Sequence, residues 1–188
     1  MIAKDSGEGT LTNISGFDSI SISGYIYNSQ DFRDLALQHV GADFRDEVQR
    51  LYNTSTGNHI YSANQTEVDY LTGNEIGWIA EGVSYKSNEN ASQAVYRFFV
   101  DGKHFYTAND RERDLLINSP EFSNYIYEGE SHKVYGLSDE KPEETIAVKR
   151  YFNTLDGSHI YSTSVTEQSI LSESPMHVDE GIAWYAGL

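Results

Sequence analysis

Three stretches of the chain alternate hydrophobic and polar residues around a turn, and each runs into nearly the same hexapeptide. The hexapeptides are GNHIYS at 57–62, GKHFYT at 102–107 and GSHIYS at 157–162. Aromatic and β-branched residues flank a preceding turn, written NTSTG, VDG or NTLDG. Such residues on both sides of a glycine-containing turn are typical of a β-hairpin. The pattern therefore predicts three similar hairpins.

A short helix is predicted after each hairpin. The segments NQTEVDYL, NDRERDLL and SVTEQSIL begin with Asn or Ser and carry Glu three residues later. This is the spacing of a capping box, in which the first side chain accepts from a helical amide and the glutamate reaches back to the cap amide. The predicted helix caps are Asn64 with Glu67, Asn109 with Glu112, and Ser164 with Glu167. A third strand containing Glu-Gly then completes each unit.

Four polar positions recur in the same order in all three units: an arginine, the hexapeptide histidine, and two glutamates. This is one repeat family, with units at 48–87, 94–137 and 148–188. A unit of about 45 residues buries little surface alone, so the three are expected to pack together. The predicted fold is β-rich α+β, with three ββαβ repeats in one body of pseudo-threefold symmetry. A β-trefoil-like barrel and a short open solenoid are the alternatives.

Residues 1–47 form a leader that lacks the repeat. The stretch DSISISGYIYN at 18–28 alternates like a strand, and SQDFRDLALQHVG at 29–41 is typical of a capped helix ending at a glycine. We expect this strand and helix to pack on the three-repeat domain, 48–188. GFDSISISG resembles a single copy of the glycine–aspartate calcium repeats of secreted bacterial proteins.

Charge narrows the classes of partner. Thirteen Lys+Arg against 29 Asp+Glu give a formal net charge of −16, which repels nucleic acids and anionic membranes. Cations and neutral ligands such as sugars are compatible with this charge. No apolar run approaches the ~20 residues of a membrane span, so membrane insertion is not expected. The absence of cysteine removes disulfides and thiolate chemistry.

The recurring histidines permit two interpretations. In the first, they brace the fold, because buried polar groups retain partners and arginine can pair with the late glutamate. This interpretation is favoured, since a repeated pattern records the needs of the fold first. In the second, His, Tyr, Arg and Glu form sites for neutral sugars, supplying flat rings and planar polar groups. The candidate ligand-binding residues are Arg50, His59, Tyr61, Trp78, Glu81, Arg97, His104, Tyr106, Tyr125, Glu128, Arg150, His159, Tyr161, His177, Glu180 and Trp184.

Evidence for catalysis is sparse. The chain has no nucleophile elbow, no glycine-rich phosphate loop and no HExxH motif, and no carboxylate pair stands out among its acids. Three histidines meeting on an axis could bind zinc, although each is expected on its own hairpin. No cofactor is required; calcium is a candidate because of the acidic composition, but no EF-hand loop is present. We therefore expect no enzymatic activity.

The set Arg-bulky-Tyr/Phe, Gly-x-His-Ile/Phe-Tyr-Ser/Thr, a later Glu and Glu-Gly resembles a repeat family of unknown function. That family occurs, often in threes, in secreted bacterial and fungal proteins, beside hydrolases or in large surface proteins. The resemblance covers roughly 48–188 and not the leader. It implies an accessory or adhesive role outside the cell and supplies no catalytic residues.

These observations favour a carbohydrate-binding, lectin-like module of a secreted or surface-anchored bacterial adhesin. Threefold repetition suits avidity for glycans, ending for instance in fucose or galactose, on a host or neighbouring cell. We expect a monomeric domain within a larger chain, although the sequence shows no secretion signal. A structural or peptide-binding accessory module is the main alternative, and a secreted glycoside hydrolase a distant third.

Overall fold

A computed structural model describes residues 20–22, 25–27, 44–73, 77–89 and 91–187, with side chains from residue 47 onward. The chain divides into two compact parts, 1–42 and 43–188. In the first part, β1 (Ile20–Ile22) and β2 (Tyr25–Tyr27) pair antiparallel. The prediction of one continuous strand over 18–28 is therefore wrong, because Ile20–Ile22 pairs antiparallel with Tyr25–Tyr27. The helix predicted over 29–41 lies outside the described residues.

The second part is β-rich with a few short helices, as the sequence predicted. Each of the three units defined from the sequence, numbered 1 to 3 in chain order, contributes two strands of a hairpin, one helix and a late strand. The elements are β3 (Phe44–Asn53), β4 (His59–Asn64), α1 (Gln65–Gly73) and β5 (Trp78–Lys86); β6 (Gln93–Val100), β7 (Lys103–Thr107), α2 (Asp110–Asn118), a 3₁₀ turn (Pro120–Phe122) and β8 (Ile126–Val134); and β9 (Thr145–Asn153), β10 (His159–Ser162), α3 (Val165–Glu173) and β11 (His177–Gly187). No helix among these is long and apolar enough to cross a bilayer.

The strands form two antiparallel sheets. One has six strands in the order β10-β9-β11-β5-β3-β4, and the other has three in the order β7-β6-β8. The six-stranded sheet is two three-stranded halves joined at a single pair, Gly187 with Lys86. An isolated bridge between Tyr135 and Tyr185 links β8 to β11. Neither sheet of the described strands closes on itself, so the β-trefoil-like barrel is wrong.

The Glu-Gly dipeptide of each late strand marks a β-bulge. Arg50 pairs with Gly82 while Leu51 pairs with Ala80, which leaves Glu81 as the extra residue. The same irregularity occurs in β8 and β11. The three glycines, Gly82, Gly129 and Gly181, have φ values of 104°, 103° and 87°, a region that glycine enters without strain. A bulge re-aims the neighbouring side chain, so the dipeptide directs a glutamate toward the arginine strand.

The predicted caps begin the helices, but the glutamates do something other than predicted. Asn109 Oδ1 accepts from the amides of Arg111 and Glu112, and Asn64 and Ser164 occupy the same place before α1 and α3. The amides of the three cap residues donate to the hydroxyls of Ser62, Thr107 and Ser162. Because a nearer hydroxyl takes the cap amide, the glutamates of the predicted capping boxes, Glu67, Glu112 and Glu167, are directed to arginines instead.

Both sheets contribute to the core, and corresponding positions of the three units supply it. Its central cluster contains one valine from each long strand, a tyrosine from each hexapeptide, and Tyr85, Val134 and Trp184. A second cluster, within unit 2, packs Phe98 against Phe105 and Leu116. The alternation read from the sequence therefore directs one face of every hairpin inward.

Candidate functional site

Each unit contains an Arg–Glu–His cluster, formed by the arginine of the long strand, the bulge glutamate and the hexapeptide histidine. The arginine Nε lies 2.7–2.8 Å from the glutamate Oε2, in the pairs Arg50–Glu81, Arg97–Glu128 and Arg150–Glu180. The histidine Nε2 lies 3.4–3.5 Å from the same oxygen, for His59, His104 and His159. Each histidine also tilts against its cross-strand aromatic partner, Tyr52, Phe99 or Phe152. Sequence reasoning thus identified residues that do come together.

The arginines also connect the units in a closed cycle. Each pairs with the helix glutamate of the preceding unit: Arg97 with Glu67 at 2.8 Å, Arg150 with Glu112 at 2.9 Å and Arg50 with Glu167 at 2.9 Å. Burial alone would raise the pKa of Glu167, but hydrogen bonds from Arg50 and Ser162 outweigh it and hold the pKa below its usual range. Each of these three arginines therefore bridges two carboxylates, one from its own unit and one from a neighbouring unit.

A second cycle joins the hexapeptide tyrosines. The amide of Tyr61 donates to the Tyr106 hydroxyl at 3.0 Å, the amide of Tyr106 to Tyr161 at 2.9 Å, and the amide of Tyr161 to Tyr61 at 2.9 Å. The rings meet edge to face with centroids 5.3–5.6 Å apart. Burial raises the pKa of all three phenols, so they remain neutral hydrogen-bonding groups. These tyrosines hold the units together.

Several predicted ligand-binding residues are inaccessible. Tyr61, Tyr106, Tyr161 and Trp184 are at most 1% exposed, and a ring without exposed surface cannot pack on a sugar. The prediction that these four contact a ligand is wrong, because the face of the hairpin that carries them is the core face. For the tyrosines, the bracing interpretation is the one that their contacts support.

The rings at the starts of the late strands also lie apart from the clusters. Trp78 is 9% exposed, and Tyr125 packs against Phe98 and Phe105. His177 is half-buried and its Nδ1 lies 2.9 Å from the Ser174 hydroxyl. These three side chains support local packing and do not line the pockets described below.

The three clusters differ in their access to solvent. In unit 2 the side chains of Arg97 and Glu128 are 6% and 3% exposed. The corresponding values in unit 3 are 17% for Arg150 and 29% for Glu180. Burial lowers the pKa of His104, as it does for His59. Protonated His104 would also carry a buried Nδ1–H, and that nitrogen has no hydrogen-bond partner among the described residues.

The buried histidines predict a loss of stability in mild acid. Unfolded histidine takes up a proton near pH 6.5, whereas folded His59 and His104 require a lower pH. As the pH falls below about 6.5, the unfolded state binds more protons than the folded state, so the free energy of unfolding decreases. We expect wild-type stability in urea to fall between about pH 7.5 and 5.5, and less steeply in His104→Gln, whose amide cannot titrate. Equal slopes for the two proteins would contradict this account.

An open pocket of about 440 Å³ lies where unit 2 meets unit 3, which we call the 2–3 junction. The pair Arg150–Glu180 and the helix carboxylate Glu112 supply its central polar groups. Apolar lining comes from Leu137 and Ile182 together with alanines 108 and 183. The start of α2, Gln93 and the loop 136–139 complete the wall. Planar donors and acceptors thus lie beside a small apolar surface.

A pocket of about 110 Å³ occupies the corresponding place where unit 3 meets unit 1, the 3–1 junction. Arg50, Glu81 and Glu167 take the places of Arg150, Glu180 and Glu112. Repeat analysis missed the residues that distinguish the two pockets, because they are the positions at which the units differ. The signal that could have found them is alanine at 108 and 183 against threonine at 163 and serine at 84.

Metal binding finds no support in the described part of the chain. No group of three or more His, Asp or Glu side chains there is arranged to hold an ion. The zinc alternative required the three hexapeptide histidines to converge, whereas each lies beside its own glutamate. The calcium proposal stays a prediction.

The chain belongs to the family described as a domain of unknown function, DUF5648, whose model matches residues 47–187. The match spans the three units and excludes most of the leader. No curated protein and no solved structure matches the chain.

Proposed function

We propose that this member of the DUF5648 family is a non-catalytic carbohydrate-binding module whose ligand lies in the pocket at the 2–3 junction. The observation that carries the proposal is the pairing of planar polar groups with apolar side chains in one open pocket. Arg150 offers hydrogen-bond donors to a ligand, and Glu112 and Glu180 offer acceptors. Leu137 and Ile182 offer apolar surface. A sugar ring presents hydroxyls around its edge and C–H groups on its faces, which matches this division.

The charge of the pocket favours an uncharged sugar over an anionic one. Its lining contains Asp110, Glu112, Asp139 and Glu180 but one guanidinium, that of Arg150. A uronate or sialate would meet this excess of carboxylates as well as the net charge of −16. Glycans ending in galactose or fucose carry no such penalty, and they remain the proposed ligands.

The biological setting proposed from the sequence is a secreted or surface-anchored bacterial adhesin that carries this domain within a larger chain. Its support is the resemblance to repeats of secreted proteins and the acidic surface. Calcium is proposed only as an accessory ion. The weak affinity expected of one site, roughly 10 µM to 1 mM, would be strengthened by several sites on one surface.

We also propose that the three units are related by pseudo-threefold symmetry. Three observations support this arrangement: each unit orders its strands as hairpin strand, long strand and late strand, and both the arginine and tyrosine contacts run from unit to unit in a cycle. In an experimental structure, superposing unit 1 on unit 2 and unit 2 on unit 3 should require the same rotation of about 120°. Unequal rotations would contradict the symmetry.

A structural spacer is the rival role, and one observation favours it. The recurring tyrosines are buried in the core, as a spacer requires. The two pockets beside the Arg–Glu–His clusters favour binding instead, because a spacer has no need of them. Binding experiments therefore decide between the two roles.

We expect the domain to bind neutral glycans on an array and to lose that binding in Leu137→Trp. Leu137 is 60% exposed at the pocket, so an indole there should obstruct the ligand and leave the core intact. The matched control is Leu155→Trp, at a residue 71% exposed in the turn of unit 3. Titration calorimetry of the best array ligand, with calcium and with chelator, should give at least a tenfold loss of affinity for Leu137→Trp only.

Two outcomes would contradict the proposal. No binding across the array at millimolar glycan would leave the spacer role ahead. Turnover of a chromogenic glycoside or ester by the domain, abolished by one point mutation, would show that it is an enzyme.

A further inference from the structure

The two pockets differ in volume although their polar groups correspond. The arginine Nε to glutamate distance is 2.7 Å for Arg150–Glu180 and 2.8 Å for Arg50–Glu81. The arginine to helix glutamate distance is 2.9 Å at both junctions. Yet the volumes are about 440 Å³ and 110 Å³. The cause must therefore lie in the residues around these groups.

A hydrogen bond joins two lining residues of the smaller pocket. The hydroxyl of Thr163 donates to the backbone carbonyl of Ser84 at 2.8 Å, which links unit 3 to unit 1 at the 3–1 junction. Thr163 and Ser84 both line that pocket. The corresponding residues at the 2–3 junction are Ala108 and Ala183, and alanine has no hydroxyl to form such a bond.

The loop 136–139 adds a second difference, since it lines the larger pocket. It is held in place because Asp139 Oδ2 accepts from the Gly136 amide at 2.8 Å and from the Ser92 hydroxyl at 2.9 Å. Among the described residues, the lining of the smaller pocket includes no comparable loop.

We propose that the residue after the hexapeptide, Ala108 in unit 2 and Thr163 in unit 3, determines which junction binds sugar. Alanine leaves the junction wide, and threonine narrows it through the hydroxyl bond to the neighbouring unit. The 3–1 junction is then a second sugar site of the same class, kept too narrow for the ligand in the wild-type protein. This inference rests on the proposed carbohydrate-binding function.

The 1–2 junction does not follow from this residue alone. Unit 1 has Ala63 at the corresponding position. At this junction, however, Arg97 and Glu128 are buried, with only 5% and 4% of the whole residue exposed. Their polar atoms offer little surface to a ligand. The proposal therefore concerns the two junctions whose Arg–Glu pairs reach solvent.

Three variants test the proposal. Thr163→Ala removes the hydroxyl that links the two units, and Thr163→Ser keeps it as the matched control. Ala108→Thr should form the corresponding bond to the carbonyl of Ala183 and narrow the larger pocket. Thermal unfolding of each variant checks that it is folded before any binding measurement.

The measurement is the shift of backbone amide signals in ¹H–¹⁵N NMR spectra. The probes are methyl β-galactoside and methyl α-fucoside at up to about 20 mM, well above the expected dissociation constants. In wild type and Thr163→Ser we expect saturable shifts at Leu137, Ser138 and Ile182 only. Thr163→Ala should add a second saturable set at Val83 and Ser84. Ala108→Thr should lose the first set.

The outcomes distinguish failure of this inference from failure of the proposed function. Shifts at the 2–3 junction in wild type, with no second set in folded Thr163→Ala, would overturn this inference and leave the proposed function intact. Retained shifts at that junction in folded Ala108→Thr would overturn it as well. No shift in wild-type protein with either sugar would overturn both this inference and the site on which it rests.

Discussion

Replacing Arg97 with methionine is expected to lower the free energy of unfolding by about 3–5 kcal/mol. Arg97 and Glu128 are almost fully buried side by side, 2.8 Å apart, and Arg97 also reaches Glu67 of unit 1. The variant would leave the Glu128 carboxylate in the core without its nearest positive charge. Removing one partner of a buried ion pair costs far more than the pair itself contributes, because the remaining charge stays desolvated. Urea unfolding measured by tryptophan fluorescence gives the value.

Two further variants isolate the cause. Arg113→Met makes the same substitution in an arginine whose partners, Asp110 and Asp114, are about 60% exposed, and should change stability by about 0–1 kcal/mol. Arg97→Met combined with Glu128→Gln removes the stranded charge and should recover part of the loss. Glu128→Gln alone is measured as well. If the stability lost in the double variant equalled the sum of the losses in the two single variants, the unpaired charge would not be the cause.

Truncating Tyr161 to alanine is expected to cost about 3–5 kcal/mol, the usual range for a large buried ring. The ring is fully buried, lies edge-on to both other tyrosines of the cycle and stacks on Trp184 with centroids 5.1 Å apart. Its hydroxyl accepts from the Tyr106 amide and donates to the Tyr106 carbonyl at 2.5 Å. Tyr161→Phe keeps the ring and strands that amide, so we expect it to cost about 1–3 kcal/mol.

The control is Tyr52→Phe, at a half-buried ring beside His59. It should change stability by less than about 0.5 kcal/mol, since no buried amide in the described part of the chain donates to that hydroxyl. Thermal and urea unfolding of all three variants should rank them in this order. A Tyr161→Phe protein as stable as wild type would show that the buried hydroxyl cycle contributes nothing.

The hairpins, helices and late strands were predictable because each depends on local chemistry. Turn residues at 53–57 and 153–157, the caps Asn64 and Asn109, and the period-two alternation of the strands act within a few neighbours. The recurrence of a unit three times made each of these signals stronger. The leader shows the limit: alternation over 18–28 indicated one strand, while two short ones form.

The partners of the glutamates were not predictable, because they come from other units. Glu67 has the spacing of a capping box, yet its carboxylate accepts from Ser62 and Arg97. Spacing along the chain does not reveal that an arginine 30 residues away approaches the same atoms. Likewise, period two predicts that His59 and Tyr61 share a face, but not that the tyrosine ring is buried while the histidine lies at the margin.

The pockets were missed for a different reason. Repeat comparison emphasises the positions that recur, such as Arg50, Arg97 and Arg150, and these mainly maintain the fold. The two pockets, in contrast, differ at positions that vary among the units, above all Ala108 against Thr163. A search for function in a repeated chain should therefore begin where the repeats disagree.

The closed cycles also set the order in which this domain can fold during synthesis. The Arg50–Glu167 pair joins residues 117 apart, and the bond from the Tyr161 amide to the Tyr61 hydroxyl spans 100. When unit 1 leaves the ribosome, Arg50 has Glu81 of its own unit but lacks Glu167, and the Tyr61 hydroxyl lacks the Tyr161 amide, because unit 3 has not been translated. Contacts of such long separation form slowly, since the chain must first lose much of its freedom. Units 1 and 2 can form their shared contacts earlier, but the remaining groups stay unpaired until the third unit emerges, and docking of that unit completes the 2–3 and 3–1 interfaces together.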